Sequence, residues 1–280
     1  MAPTLLRCAF LNILVYKFQP DKRRQRPRAV RQGELSFVTL VDSRTAPLTA
    51  SAEKGAFAVD RRLPAAEQVY RVLRNEIITC RIAPNEAISE NRLCGMFGVS
   101  RSPVRVAVTR LAEDGLIEIF PQRGTYVAPI KLKQVREAQF ARSALEVALA
   151  EEAARHWTAA NSIEARENLE RQMQHAESGD GWGFFLDNES FHQIIARAAR
   201  LEGVWTTVQS VKTIWDRIGH LANRVPAHTL EIIAEHERII EALDGRSPEG
   251  ASTAMRIHLQ SVDKAIARLQ PLYTTYFVDG

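Results

Sequence analysis

The chain has 280 residues, 45% of them hydrophobic and 25% charged, enough for two domains of ordinary size, each with its own core. Its three cysteines (Cys8, Cys80, Cys94) form no CxxC pair, and no run approaches the ~18 apolar residues that span a bilayer. A disulfide framework, a thiolate zinc site and a membrane partner are therefore not expected, and a reducing, cytoplasmic setting fits. The net charge of +4 is unevenly spread: residues 1–60 hold 10 Lys/Arg against 5 Asp/Glu, 61–130 hold 10 against 7, and 131–280 hold 17 against 21. A basic first half favours a polyanionic partner, with a solvated charged face as the alternative.

Leu5 to Phe18 is apolar enough to invite a signal-peptide reading. Arg7 interrupts it, however, and the basic cluster Lys22, Arg23, Arg24, Arg26 and Arg28 lies on its C-terminal side. Residues 1–63 are expected to be a basic, mostly disordered extension, with an arm touching DNA phosphates as the sharper reading. From Pro64 the pattern changes. Ala66, Val69, Tyr70, Leu73, Ile77 and Ile78 form an amphipathic stripe, predicting a helix that ends near Cys80-Arg81. A turn over Ile82 to Glu86 follows. Ser89 can cap a short second helix, Glu90 to Phe97, with Leu93, Met96 and Phe97 inward.

The stretch Gly98-Val99-Ser100-Arg101-Ser102-Pro103-Val104-Arg105 leads into a third helix. Ser102 is its expected N-cap and Pro103 its first residue. Ala107, Val108 and Leu111 face a core, and Gly115 ends the helix. Arg101, Ser102 and Arg105 remain on the outward side of the first turn. A basic, capped helix start with an apolar back is what a recognition helix needs to enter a major groove. Leu116 to Phe120, the turn Pro121-Gln122-Arg123-Gly124 and Thr125-Tyr126-Val127 read as a hairpin with a basic tip. Three helices and a hairpin predict a winged helix-turn-helix over 64–130.

Past Pro129 the strands vanish. Six amphipathic segments, at 133–156, 161–178, 182–200, 203–222, 227–244 and 248–270, predict an all-α bundle over 131–272. The expected fold is mainly α, an N-terminal winged helix-turn-helix followed by a six-helix bundle.

These residues add up to a family pattern. Residues 66–128 resemble the DNA-binding domain of the GntR family of bacterial transcription regulators. The likeness is carried by Leu73-Arg74-x-x-Ile77-Ile78, Ile82-x-Pro84, Ile88-Ser89-Glu90, Leu93, the run Phe97 to Arg105, Leu111-x-x-x-Gly115-Leu116-Ile117 and Arg123-Gly124-x-x-Val127. Two turn glycines usual in the family are here Cys80 and Asn85. The second half is similar to the FCD effector domain of the FadR-like branch, through Arg142-x-x-Leu145-Glu146, Asn188-x-x-Phe191-His192, Glu235-His236-x-x-Ile239-x-x-Ala242-Leu243 and Met255-x-x-His258.

For the first domain, guanidinium chemistry suits phosphate or guanine, and the serine and backbone N–H groups at a helix start suit a phosphate. The resemblance implies that Ser100, Arg101, Ser102 and Arg105 contact DNA and that Pro103 shapes the helix entry. It also sends the wing's Arg123 and Gly124 to the minor groove and puts Asn91, which is neutral, where the family often has a DNA contact. For the second domain, Asn188 and His192 share a face with Phe184 and Ile195, His236 lies with Ile232 and Ile239, and His258 lies with Met255 and Val262.

Three histidines thus point into one apolar interior, a desolvation cost that a shared divalent metal, zinc or similar, relieves. Packed core histidines are the alternative. The resemblance adds Asn188 as fourth ligand, where an Asp is also found in the family. Arg142, on the inward stripe of Ala138 and Leu149, needs an anion, either Glu146 at i+4 or, as the resemblance implies, the carboxylate of a small organic-acid effector. The whole reads as a homodimeric transcription regulator on a palindromic double-stranded operator, cytoplasmic and nucleoid-associated when bound. A metal-dependent enzyme is the alternative from another class, but Glu189 and Glu235 are poorly aimed as general bases.

Overall fold

The computed structural model describes residues 57 and 59–279. The readings made for 1–56 and for residue 58 lie outside them. Helix α1 (Ala65–Ile78) buries Val69, Tyr70, Leu73, Ile77 and Ile78, the predicted stripe. After it the backbone turns left-handed at Cys80 (φ 53°) and again at Asn85 (φ 68°). Both positions at which glycines are usual keep a left-handed conformation without glycine, at about 1–2 kcal/mol each. Asn tolerates that region best, and Nδ2 of Asn85 donates to the Thr275 carbonyl at 3.0 Å.

Strand β1 (Ala87–Ile88) leads to α2 (Glu90–Phe97), whose N-cap Ser89 accepts from the Arg92 amide, and Gly98 at φ 64° ends it. Helix α3 runs Arg101–Glu113. It starts two residues before the expected position: Ser100, not Ser102, is the N-cap, and its side chain makes no capping hydrogen bond. Pro103 is therefore the third helical residue. It fits because first-turn amides have no intrahelical acceptor to lose. Strands β2 (Ile117–Phe120) and β3 (Gly124–Val127) pair antiparallel with Phe120 opposite Gly124, and β1 adds to β3, giving the order β1-β3-β2. Leu73, Ile77, Phe97, Val104, Leu111 and Val127 share the core beneath. This is a winged helix-turn-helix.

Strand β4 (Ile130–Lys131) pairs parallel with β5 (Phe277–Val278), tying the chain's return to the linker. Between them lie α4 (Leu132–His156), α5 (Ala159–Ser178), α6 (Gly181–Ala198), α7 (Glu202–Ala222), α8 (Pro226–Asp244), α9 (Pro248–Leu259) and α10 (Ser261–Leu269). Thr158 and Asn161 form a capping box at the start of α5, and Asp180 and Ser247 cap the starts of α6 and α9 as local sequence dictates. The sixth expected segment, 248–270, is two helices. The Ser261 hydroxyl donates to the His258 carbonyl at 2.7 Å, a back-bond that competes with the helical ladder and bends it.

Helix α7 lies against the winged helix. The Arg74 guanidinium donates to Asp216 at 2.8 Å, Arg217 donates to the carbonyls of Ala128 and Pro129, and Arg224 donates to the Thr79 carbonyl at 3.0 Å. Among the described residues no helix is long and apolar enough to cross a membrane.

Candidate DNA-binding face and metal centre

The inward side of α3 is set by Val104, Ala107, Val108 and Leu111, all buried. Arg101, Ser102 and Arg105 are left exposed, with Ser100 exposed just before them and Pro103 half-buried. Arg105 Nε donates to Glu90 at 3.1 Å, which aims the guanidinium and sets the first turn of α2, with exposed Asn91, beside it. Arg123 and Gly124 are exposed at the wing tip. Gly124 has φ +117°, and a Cβ there would lie 3.3 Å from the Tyr126 ring, so the tip backbone stays bare. The Tyr126 hydroxyl fixes that tip by donating to the Arg123 carbonyl at 2.9 Å. Arg110, by contrast, is drawn back to α1: it donates to Glu67 and stands 3.8 Å over the Tyr70 ring.

In the second domain, α6, α8 and α9 bring His192, His236 and His258 together. All three are buried, and one ligand atom of each lies within 4.8 Å of the others. Each Nδ1 faces an oxygen acceptor: Glu146 for His192, Gln172 at 2.9 Å for His236, Glu235 at 3.0 Å for His258. Such partners keep the proton on Nδ1 and leave the Nε2 atoms unprotonated. Nε2 of His192 and His258 are 3.3 Å apart, and Nε2 of His236 is buried with no partner. Two nitrogens bound to zinc at about 2.0–2.1 Å in a tetrahedron are separated by about 3.3 Å, so the donor set fits such an ion. Burial, outweighing Glu146, lowers the His192 pKa to about 4, and burial takes His236 well below its usual value. Both are neutral imidazoles, the form that ligates.

Asn188 is buried one turn before His192 on the same helix. Arg142 meets Glu146, the one of its two expected partners that the chain itself supplies. Its Nε donates to Glu146, its Nη2 lies 3.4 Å from Nε2 of His192, and its guanidinium carbon sits 4.7 Å over the Trp215 ring. Burial alone would raise the Glu146 pKa, but Arg142 and His192 outweigh it and hold the carboxyl well below the usual range. The candidate bases are engaged: Glu235 with His258, and Glu189 with Lys212 at 2.8 Å. Gln172 escaped the sequence reading. Its signal is the pair Asn168 and Gln172, one turn apart and both fully buried on a polar helix, where Gln172 donates to Asn168 at 2.7 Å.

Residues 65–127 match the family described as "Bacterial regulatory proteins, gntR family", and residues 137–261 match the FCD domain. The chain is 34% identical over 214 residues to the HTH-type transcriptional repressor RspR of Escherichia coli K12, covering 76% of this chain and 94% of that protein. The chain belongs to the GntR family. This GntR regulator is also 35% identical over 202 residues to an HTH-type transcriptional regulator of Streptomyces ambofaciens, covering 72% of this chain and 85% of the other. Among solved structures it resembles Escherichia coli McbR/YncC, with TM-score 0.64 and 22% identity over 75% of this chain and 99% of that one. A GntR regulator of Rhodococcus aligns with TM-score 0.62 and 21% identity, over 72% and 97%. These two likenesses concern the fold. A DNA-binding transcription regulator of the FadR-like branch with an FCD effector domain is what the chain is.

Proposed function

We propose that this regulator is a homodimer whose binding to a palindromic operator is modulated by a small organic acid held beside a divalent metal. His192, His236 and His258 would hold the metal through Nε2, with the Asn188 carbonyl oxygen as a fourth, uncharged ligand. The observation that carries this is the trio of buried imidazoles whose Nδ1 atoms face oxygens of Glu146, Gln172 and Glu235, with Nε2 of His236 left without any partner. A bound ion supplies a Lewis-acidic anchor for a carboxylate. Arg142 faces the same histidines and offers that carboxylate a charged hydrogen-bond donor, with Glu146 fixing its orientation. On the DNA side, Arg101 and Arg105 read or grip the major groove, Ser100, Ser102 and Asn91 meet the backbone, and the wing sends Arg123 and Gly124 to the minor groove. The acid shifts operator affinity only by as much as it prefers one arrangement of the winged helices over the other.

The test is elemental analysis of full-length protein purified anaerobically without chelators, paired with operator binding. About one equivalent of zinc or a similar ion per chain is expected, and His192→Ala removes it. A content below about a tenth of an equivalent, unchanged by His192→Ala, supports packed core histidines. Arg101→Ala with Arg105→Ala is expected to weaken operator binding by about 100-fold or more. Unchanged affinity removes the recognition-helix assignment.

A further inference from the structure

The outward side of α3 is not uniformly polar. Turning by about 100° per residue, the buried Val104, Ala107, Val108 and Leu111 mark one side of the helix. Opposite them stand Ser102, Val106 and Thr109, all exposed. Val106 lies about 40° from Ser102 and about 60° from Thr109 in this projection, on the side of the solvent face toward Arg110. It is 57% exposed. Arg105, tethered to Glu90, flanks it on one side, and Arg110, tethered to Glu67, on the other.

A β-branched hydrocarbon there does nothing for the helix itself. Its restricted χ1 lowers helix propensity, and the residue packs into no core. The same stiffness leaves little rotamer entropy to lose on contact. In a major groove, the thymine 5-methyl is the apolar feature a side chain can meet. Ser102, one turn earlier, is too short to keep Val106 from the groove floor.

We infer that Val106 is a specificity-determining residue of this regulator, packing its methyls on a thymine 5-methyl under the centre of α3 in each operator half-site. The inference rests on α3 being the recognition helix. Arg101 and Arg105 then serve phosphates or guanine edges, while Val106 demands thymine.

The experiment begins with a duplex selected by the full-length protein from a random-sequence pool. Each thymine of one half-site is then replaced in turn by uracil, which deletes only the 5-methyl. Wild type is expected to lose about fourfold in affinity at one thymine, the worth of one buried methyl. Val106→Ala, an exposed change to a better helix former, is expected to bind the parent duplex about fourfold more weakly and to be indifferent to uracil at that position. Wild type indifferent to uracil everywhere, or Val106→Ala keeping the wild-type uracil profile, overturns the inference. Arg101→Ala with Arg105→Ala separates the two readings. If that variant still binds the selected duplex at full strength, α3 is not the recognition helix and both fall. If it loses the duplex while Val106→Ala keeps the wild-type profile, only the role of Val106 falls.

Discussion

His220 is an imidazole that the fold keeps neutral. It is 5% exposed, Trp182 packs edge-on at 5.9 Å, and Arg224 comes within 3.4 Å of its Nε2. Burial first, then Arg224 and Arg81, lower its pKa to about 4. In the unfolded chain the same ring takes up a proton near pH 6.5. Between those values the unfolded state binds the proton and the folded state refuses it, so acid favours unfolding. The stability at stake is fully present above about pH 6.5 and is lost as the pH falls toward 4, at up to about 1.4 kcal/mol per pH unit. His220→Gln removes this titration. The drop in melting temperature between pH 7 and pH 5 is expected to shrink by several degrees against wild type, the other buried histidines supplying the remainder. Equal drops in the two proteins mean that His220 accepts its proton in the folded state.

Helix α7 is the element that touches both halves of the machine. Asp216 meets Arg74 of α1 and Lys212 of its own helix, and Lys212 reaches Glu189 at 2.8 Å, next to Asn188 on α6. Trp215 lies beneath the Arg142 guanidinium. Any shift of α6 or Arg142 on ligand binding therefore bears on a helix whose charges grip the DNA-binding domain. Arg74→Gln is expected to keep operator affinity within about threefold while the effector-induced change, typically about 5–150-fold in such systems, falls toward none. An effector response that survives the substitution excludes this ion pair as the link. The sequence displayed less of α7 than of its neighbours. The stripes of α1 and α3, the Ser89 cap, the wing and the three inward histidines were legible because each follows from spacing within one element. Arg217 and the cross-element contacts of Lys212 and Asp216 carry no such signal, since those partners lie on other elements or, for Arg217, in the linker carbonyls 88 and 89 positions away. The break at Gln260 has no Gly or Pro to announce it, and α3, expected to start after Ser102, starts after Ser100 because both serines precede the same apolar stripe.

The whole molecule must find an operator among many competing sites, which demands about 4–10 kcal/mol of preference over non-specific DNA. In the proposed contacts one winged helix reads with Arg101 and Arg105, and each good two-bond contact to a base contributes about 1–3 kcal/mol. A single copy therefore supplies about 2–6 kcal/mol, reaching only the lower part of that range, and two copies on one duplex, at about 4–12, cover it. In the homodimer proposed above the second contact would also be intramolecular, provided both half-sites face the same side of the DNA. That condition gives the last prediction. Inserting about 5 base pairs between the half-sites turns one of them about half a turn away, and affinity is expected to fall nearly to that of a duplex carrying a single half-site. Gel-shift titration of the parent, inserted and single-site duplexes measures it directly. If the inserted duplex binds as tightly as the parent, the two winged helices are acting independently, and the dimeric reading of operator recognition is wrong.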